Sequence, residues 1–398
     1  MTTRHFSTLI IGGGIGGLAT ALSIARTGRP VHLVEQAPEF TEIGAGLQIG
    51  PNATRSFDRL GLLSELNAVA VHPGSAVVRD VHDALELTTL DFGAPFLERY
   101  GYPYIVAHRS DILSILLAAC VADPLVTLET NRSVSSVAES ADYATATFVG
   151  GDFYTADVLV GADGIKSRVR QLHDTSEPTF SGHVAHRGAI DIDQMGDVAG
   201  DEVVLWMGPG VHLMQYPVRR GELYNQVAVY ESPRFAAGRA DWGTADEFDA
   251  MFADACEPVR AALAKIDTSR AWPIFDREPL STWSTEHTVL IGDAAHAMLQ
   301  YLGQGACQAL EDALGLAHCL EACPNDAARA FKIFEAERIP LTTKCQAVAR
   351  PWGRTWHTDD PAMLALRNRV FRMRAADDYT DLDWLYAERT GEFSALPG

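Results

Sequence analysis

A chain of 398 residues with 47% hydrophobic and 21% charged residues has an ordinary globular balance, which excludes a disordered polymer and gives mass for roughly two to three domains. The formal net charge of -20, with no run of Lys and Arg, excludes a nucleic-acid binder, which needs a basic face to neutralise phosphates. An anionic substrate would have to be held by particular residues inside the protein. Six scattered cysteines without a CxxC pair read as small buried apolar residues in a reducing cytoplasm, not as a metal or disulfide set.

The uncharged stretch "FSTLIIGGGIGGLATALSIA" (6–25) carries five central glycines, which suit strand, turn and helix better than a membrane span or a signal peptide. No targeting segment is expected. "TLIIGGG" predicts a buried parallel strand. "IGGLATALSIARTG" predicts a helix with Leu18, Leu22 and Ala25 on one face and Gly28 near its end, and "VHLVEQ" a second strand. "PNATRSFDRLGLLSEL" reads as helical, residues 75–98 as short strands, and "YPYIVAHRSDILSILLAAC" as a strand and a helix capped by Ser110. "ADVLVGADG" is another buried strand.

From about 182 to 231 the pattern becomes that of an antiparallel sheet: "HVAHRGAIDI", "EVVLWMG", "VHLMQYPV" and "LYNQVAVYE" are joined by short polar turns. Residues 245–265 read as helical. "HTVLIGDAA" returns to a buried strand, and helices follow from about 304 to 350. The expected fold is α/β: a Rossmann-like nucleotide-binding domain from 1–74, 99–181 and 275–350, an inserted antiparallel-sheet substrate domain from 75–98 and 182–274, and a C-terminal helical segment, 351–398.

Gly12, Gly14 and Gly17 form GxGxxG between a strand and a helix, in the run Gly12, Gly14, Ile15, Gly16, Gly17. Glu35 ends the next strand, where an acid can accept the ribose hydroxyls. Glycines clear the way for a pyrophosphate at the helix N-terminus, whose amides and dipole favour an anion. This unit serves NAD and FAD alike. His183 and His186 make HxxH, but on a strand they point to opposite faces, so no metal site is expected. A GxSxG nucleophile elbow is absent.

Two further segments, "GADGIKSRVR" (161–170) and "GDAAHAMLQYLGQG" (292–305), combine with the N-terminal motif in an order that resembles the single-domain flavoprotein aromatic hydroxylases of the para-hydroxybenzoate hydroxylase type. The resemblance spans nearly the whole chain. It implies FAD as cofactor, NADH or NADPH as a transient co-substrate without a Rossmann site of its own, O2 as oxidant and a family-like homodimer. It implies that Asp293 bonds the flavin ribityl chain, and that Asp163, with Gly164, serves both FAD and the pyridine nucleotide. Gly46 and Leu47 of "GAGLQIGPNA" (44–53) would line the flavin, Arg109 would lie near its ribityl and pyrophosphate groups, and Gly303, Gly305 and Ala306 would leave room for its ring. His296 is expected behind this loop. Departures from the family pattern are Gln36 in place of Arg, Cys307 in place of Asn and Gln300 in place of Pro.

Gln300, together with "GPGVHLMQYPVRRGELYNQVAVYESP" (208–233), is similar to the branch that hydroxylates 3-hydroxybenzoate at carbon 6. By that resemblance His212 and Gln300 face the substrate phenol and Tyr104 and Tyr216 line its pocket. A buried core histidine is the competing reading of His212, and plain core that of the tyrosines. An imidazole of ordinary pKa would draw off the phenol proton, and a flavin hydroperoxide would then attack the electron-rich ring para to oxygen, giving gentisate. Arg187 and Arg219 are both candidates for the substrate carboxylate. The alternatives are a salicylate or aminohydroxybenzoate hydroxylase, and a flavoprotein that only binds an aromatic acid.

Overall fold

The computed structural model describes residues 3–41, 45–198 and 200–388. Apolar, β-branched runs place strand Thr3–Ile11 at the centre of the first sheet, parallel to Val31–Val34 on one side and to Phe153–Gly161 on the other. Val126–Glu129 and Thr288–Leu290 extend the parallel set, while Val134–Glu139 and Ala144–Phe148 add an antiparallel ribbon. Helix Ile15–Ala25 packs this sheet against helix Gly305–Ala322, so close that a Cβ on Gly16 would stand 3.2 Å from that of Ala309.

The second sheet orders its strands Trp272–Asp276, Thr179–Asp191, Leu223–Glu231, Val211–Val218, Val203–Gly208, Ser75–Asp80 and Glu86–Asp91. Its pairing is antiparallel except that Val203–Gly208 runs parallel to Ser75–Asp80. A short ribbon of Gly46–Ile49 and Ile105–His108 lies between the sheets in the chain's connectivity, and Gly46, Leu47 and Gln48 of its first strand line a cavity between them.

Several local expectations are corrected. The segment 51–66 is two helices, Pro51–Arg59 and Leu63–Val69, interrupted at Gly61. Residues 94–100 are a helix, started by Pro95, rather than strand. Helix Arg109–Ala122 is capped by the His108 ring, which accepts the Ser110 amide; Ser110 is not the cap. Helix Ala327–His357 runs for about 46 Å at 1.5 Å per residue, straight across the boundary drawn at 350.

Candidate active site

One cavity of about 1060 Å³ joins the two sheets. At one end stands the glycine turn. Gly12 has φ +110°, and a Cβ there would meet the carbonyl oxygen of Ala162 at 2.3 Å; a Cβ on Gly17 would stand 1.9 Å from the Gly12 oxygen. Only glycine permits this closure of strand onto helix. Gly12, Gly14, Ile15 and Gly16 line the cavity, whereas Gly17 does not: it is the packing glycine behind them. Glu35 reaches the same space, its Oε2 accepting the Gly13 amide at 2.7 Å and its Oε1 the Ala37 amide at 2.8 Å, with Gln36 beside it. Each carboxylate oxygen keeps a further lone pair for a hydroxyl.

Gly46, Leu47, Arg109, Asp163, Asp293, Gly303, Gly305 and Ala306 line the middle. Asp163 Oδ1 accepts Ser167 Oγ at 2.5 Å and Oδ2 accepts the Arg168 amide at 2.6 Å; burial raises its pKa against these bonds. A Cβ on Gly305 would lie 3.8 Å from Asp293 Oδ1, inside the cavity, and Gly303 holds φ +63°. Gly44, at the start of the flavin-lining stretch, lies outside the described residues.

The turn bearing Asp293 is fixed from behind. Arg170, the last residue of the "GADGIKSRVR" motif, is buried and donates Nη1 to the carbonyls of Ala294 and Ala295. Asp312 Oδ2 takes the Gly292 amide and His296 Nε2, while Arg338 bonds Asp312, Glu311 and Gln308. Asn52 joins Gln304 at 3.0 Å and Glu311 at 2.6 Å. His296 thus stands behind the loop as expected. Arg170, Arg338 and Asn52 were not singled out from the sequence; the arginine closing the motif was the available signal for the first.

At the far end, strand alternation selects the lining. His212, Met214 and Tyr216 face the cavity, while Val211 and Leu213 enter the core beyond the sheet. One transverse row, Val78, Leu205, Met214, Val227 and Arg187, crosses five strands in register and lines the cavity throughout. Gln300 faces the same space. His183 and His186 do point to opposite faces: His183 packs by His357 and Tyr301, His186 against Tyr230 and Phe248. No group able to hold a metal occurs among the described residues.

His212 is 2% exposed, with Nδ1 2.6 Å from Nε2 of His357. Burial, with His183 adding to it, pushes its pKa down to about 3. The expectation of an imidazole of ordinary pKa is therefore corrected: the ring is neutral and resists protonation. Tyr216 lines the cavity and covers Gly46, where a Cβ would stand 2.4 Å from its ring. Tyr104 does not line it; its hydroxyl donates to Gln48 Oε1 at 2.5 Å, and its ring stacks on Phe92. Arg187 lines the cavity with its guanidinium 4.0 Å from the Trp272 ring centre, whereas Arg219 is bound to Asp111 and Ser110. Trp352, Trp356 and Phe371 close an aromatic wall that the sequence reading left in a separate C-terminal segment.

These features fit FAD. The glycine turn, the helix N-terminus and Glu35 suit an adenosine diphosphate, and Asp293 with the glycines after it suits a ribityl chain and flat ring in the same continuous cavity. No helix among the described residues is long and apolar enough to cross a membrane.

Comparison with known proteins agrees. A family model described as an FAD binding domain matches residues 5–347. A 3-hydroxybenzoate 6-hydroxylase of Klebsiella oxytoca is 38% identical, over 95% of this chain and 96% of its own. A 3-amino-4-hydroxybenzoate 2-monooxygenase of Streptomyces cremeus is 33% identical over 98% and 97%. A solved HpxO variant of Klebsiella pneumoniae complexed with FAD superposes with TM-score 0.84 at 25% identity, over 95% and 97% of the two chains. The chain belongs to the FAD-dependent aromatic monooxygenases, the single-component flavoprotein hydroxylases.

Proposed function

We propose that this protein hydroxylates 3-hydroxybenzoate at carbon 6. 3-Hydroxybenzoate, O2, NAD(P)H and a proton give gentisate, NAD(P)+ and water. The observation that carries this reading is that His212 and Gln300 both line the cavity that also holds Glu35 and the glycine turn. The Klebsiella relative named for this reaction supports it.

Bound FAD supplies the reduction by nicotinamide nucleotide and the activation of O2. The chain does the rest. His212, neutral, accepts the phenol hydrogen, which raises electron density at the ring carbon para to oxygen. Gln300 fixes the phenol oxygen through a neutral amide. Arg187 is the cation we assign to the carboxylate. Met214, Leu205, Tyr301 and Trp356 keep water from the reacting carbon. Tyr216 lies against the ligand, and Tyr104 orients Gln48 from behind. We assign the protein to the cytoplasm, which suits six cysteines that form no disulfide among the described residues. We assign it a homodimer, supported by the exposed apolar stripe Met363, Leu366, Val370 and Met373 on helix Pro361–Met373.

A panel of 3-hydroxybenzoate, salicylate and 3-amino-4-hydroxybenzoate, scored together for NAD(P)H oxidation, O2 uptake and product, tests the reading. Gentisate from 3-hydroxybenzoate is expected. Catechol from salicylate, without turnover of 3-hydroxybenzoate, would replace it.

A further inference from the structure

The reading of His212 as the acceptor of the phenol hydrogen leaves a difficulty. A ring that burial holds neutral cannot keep the proton, because an imidazolium there would be an uncompensated buried charge. The structure supplies a second ring. His357, at the end of helix Ala327–His357, is buried, stacks on His212 with centroids 4.9 Å apart, and places Nε2 2.6 Å from His212 Nδ1. A neutral pair in this geometry shares one proton across the contact and carries one more. If His212 Nδ1 donates, its Nε2 is bare and the second proton sits on His357 Nδ1. If His357 Nε2 donates, His212 Nε2 carries the second proton. The two states have the same charge. They differ in whether His212 accepts from a phenol or donates to a phenolate.

We propose that His357 is the positioning residue of this site and the second station of the phenol proton, accepting the His212 Nδ1 hydrogen in the resting state and drawing the proton through His212 as the substrate ionises. The proposal rests on the function given above. In the step, the phenol O–H bond breaks and an N–H bond forms at His212 Nε2. The His212 Nδ1 proton moves to His357 Nε2, and the proton on His357 Nδ1 leaves to water. That nitrogen is buried and has no hydrogen-bond partner among the described residues, so the step requires a water to reach it at the end of helix Ala327–His357 and take the proton as hydronium. The phenolate keeps the only new charge, and the pair finishes neutral, with His212 donating to it.

The groups facing His357 are His212 from strand Val211–Val218, His183 from strand Thr179–Asp191, Tyr301 from the turn after Gln300, and Arg367 from helix Pro361–Met373; Glu231 acts on His183 and Tyr301 beyond them. His183 is the half-buried member, its ring centre 4.8 Å from that of His357, with Nδ1 at Ser181 Oγ. None of these supplies a carboxylate hydrogen-bonded to His357, so the passing proton has no anion to stay with.

The test uses the oxidised FAD holoenzyme with 3-hydroxybenzoate bound. The appearance of phenolate absorbance is followed after an upward pH jump, and the substrate dissociation constant is measured separately. His357→Gln can accept the Nδ1 hydrogen and hold the His212 tautomer but cannot carry a proton onward; His357→Leu can do neither. Both should bind substrate within about threefold of the parent, while ionisation slows by about tenfold or more, as loss of a proton-transfer group does. Ionisation in His357→Gln as fast as in the parent overturns the relay, and His357→Leu keeping the parent's rate and pH profile overturns the positioning role as well. A parent that fails to bind 3-hydroxybenzoate overturns instead the reading on which the proposal rests.

Discussion

Asp312 Oδ2 accepts the amide of Gly292 at 2.9 Å, from a helix that is otherwise the second layer behind the cofactor loop. The same oxygen takes His296 Nε2 at 2.6 Å, and Oδ1 takes Arg338 Nε at 2.8 Å. Burial alone would raise the Asp312 pKa; His296 and Arg338 outweigh it and hold it down at about 2. The geometry of the Asp293 turn is therefore stabilised by an ionised carboxylate in the core.

Replacing it in Asp312→Asn leaves Arg338 partly uncompensated, at a cost of about 3 kcal/mol. Thermal unfolding should show that loss, and FAD should dissociate more readily, read by fluorescence of released flavin. The sign with pH follows from a depressed pKa. The contribution, about 2 kcal/mol, is complete above the ordinary value of 3.8 and disappears as pH falls through about 2. An Asn variant with the parent's stability and flavin affinity would remove this role.

Gly17→Ala tests the turn. Its Cβ would stand 1.9 Å from a backbone oxygen, so strand and helix must separate. Loss of soluble FAD-bound protein is expected. By contrast, a Cβ on Gly28 meets nothing within 4 Å, but its φ of +87° strains a side chain, so Gly28→Ala should cost about 1 kcal/mol and keep the flavin. Absorbance of the purified variants between the ultraviolet and the visible separates the two outcomes.

The glycine turn and Glu35 were legible because glycine spacing after a strand and an acid at a fixed offset are local signals, whereas the part given to Asp293 came from the family resemblance. His212 and Tyr216 came from the family resemblance, and Met214 was not singled out; period-two alternation is what sets the three on one face of their strand. The wall of Trp352, Trp356 and Phe371 was not legible. Trp352 and Trp356 join the site only because a long helix crosses to the second sheet, and Phe371 because the next helix, Pro361–Met373, packs its ring by Trp352; nothing local in "ARPWGRTWH" says where that end will dock. His357 escaped for that reason too. The shift of His212 was invisible as well, because a pKa depends on what burial removes, and burial is a property of the whole fold. Tyr104 shows the converse: its aromatic character was read correctly, but its ring stacks behind Gln48.

Acid stability should report the buried histidines directly. Burial holds His212 at about 3 against an ordinary 6.5 and holds His357 well below the same value. The unfolded chain therefore takes up protons below about pH 6.5 that the native chain refuses. Stability should fall by about 1.4 kcal/mol per pH unit for His212 between there and about 3, and the depressed His357 should steepen that fall. Denaturant midpoints measured from pH 7 to 5 should slope accordingly, and His212→Gln should remove one proton's worth of slope. An unchanged slope would mean that His212 is solvated in the folded protein.

The chemistry is tested most directly by the ratio of gentisate formed to NAD(P)H consumed, with hydrogen peroxide assayed in parallel. His212→Gln keeps a polar side chain on the cavity face but cannot take a proton, so a bound phenol stays neutral and its para carbon is a poorer nucleophile. Cofactor reduction does not need that proton and should continue, with O2 ending as hydrogen peroxide instead of product. Removal of a general base costs on the order of 100- to 10,000-fold in the step it serves. Gln300→Ala removes a positioning bond worth about 1 kcal/mol, so its coupling should fall by less than that of the His212 variant. Gln300→Leu fills the space without the bond and should behave like Gln300→Ala; full coupling in Gln300→Leu would make Gln300 a filler. A His212→Gln enzyme coupled as well as the parent would return His212 to the part of a core histidine, hydrogen-bonded to His357 and otherwise silent.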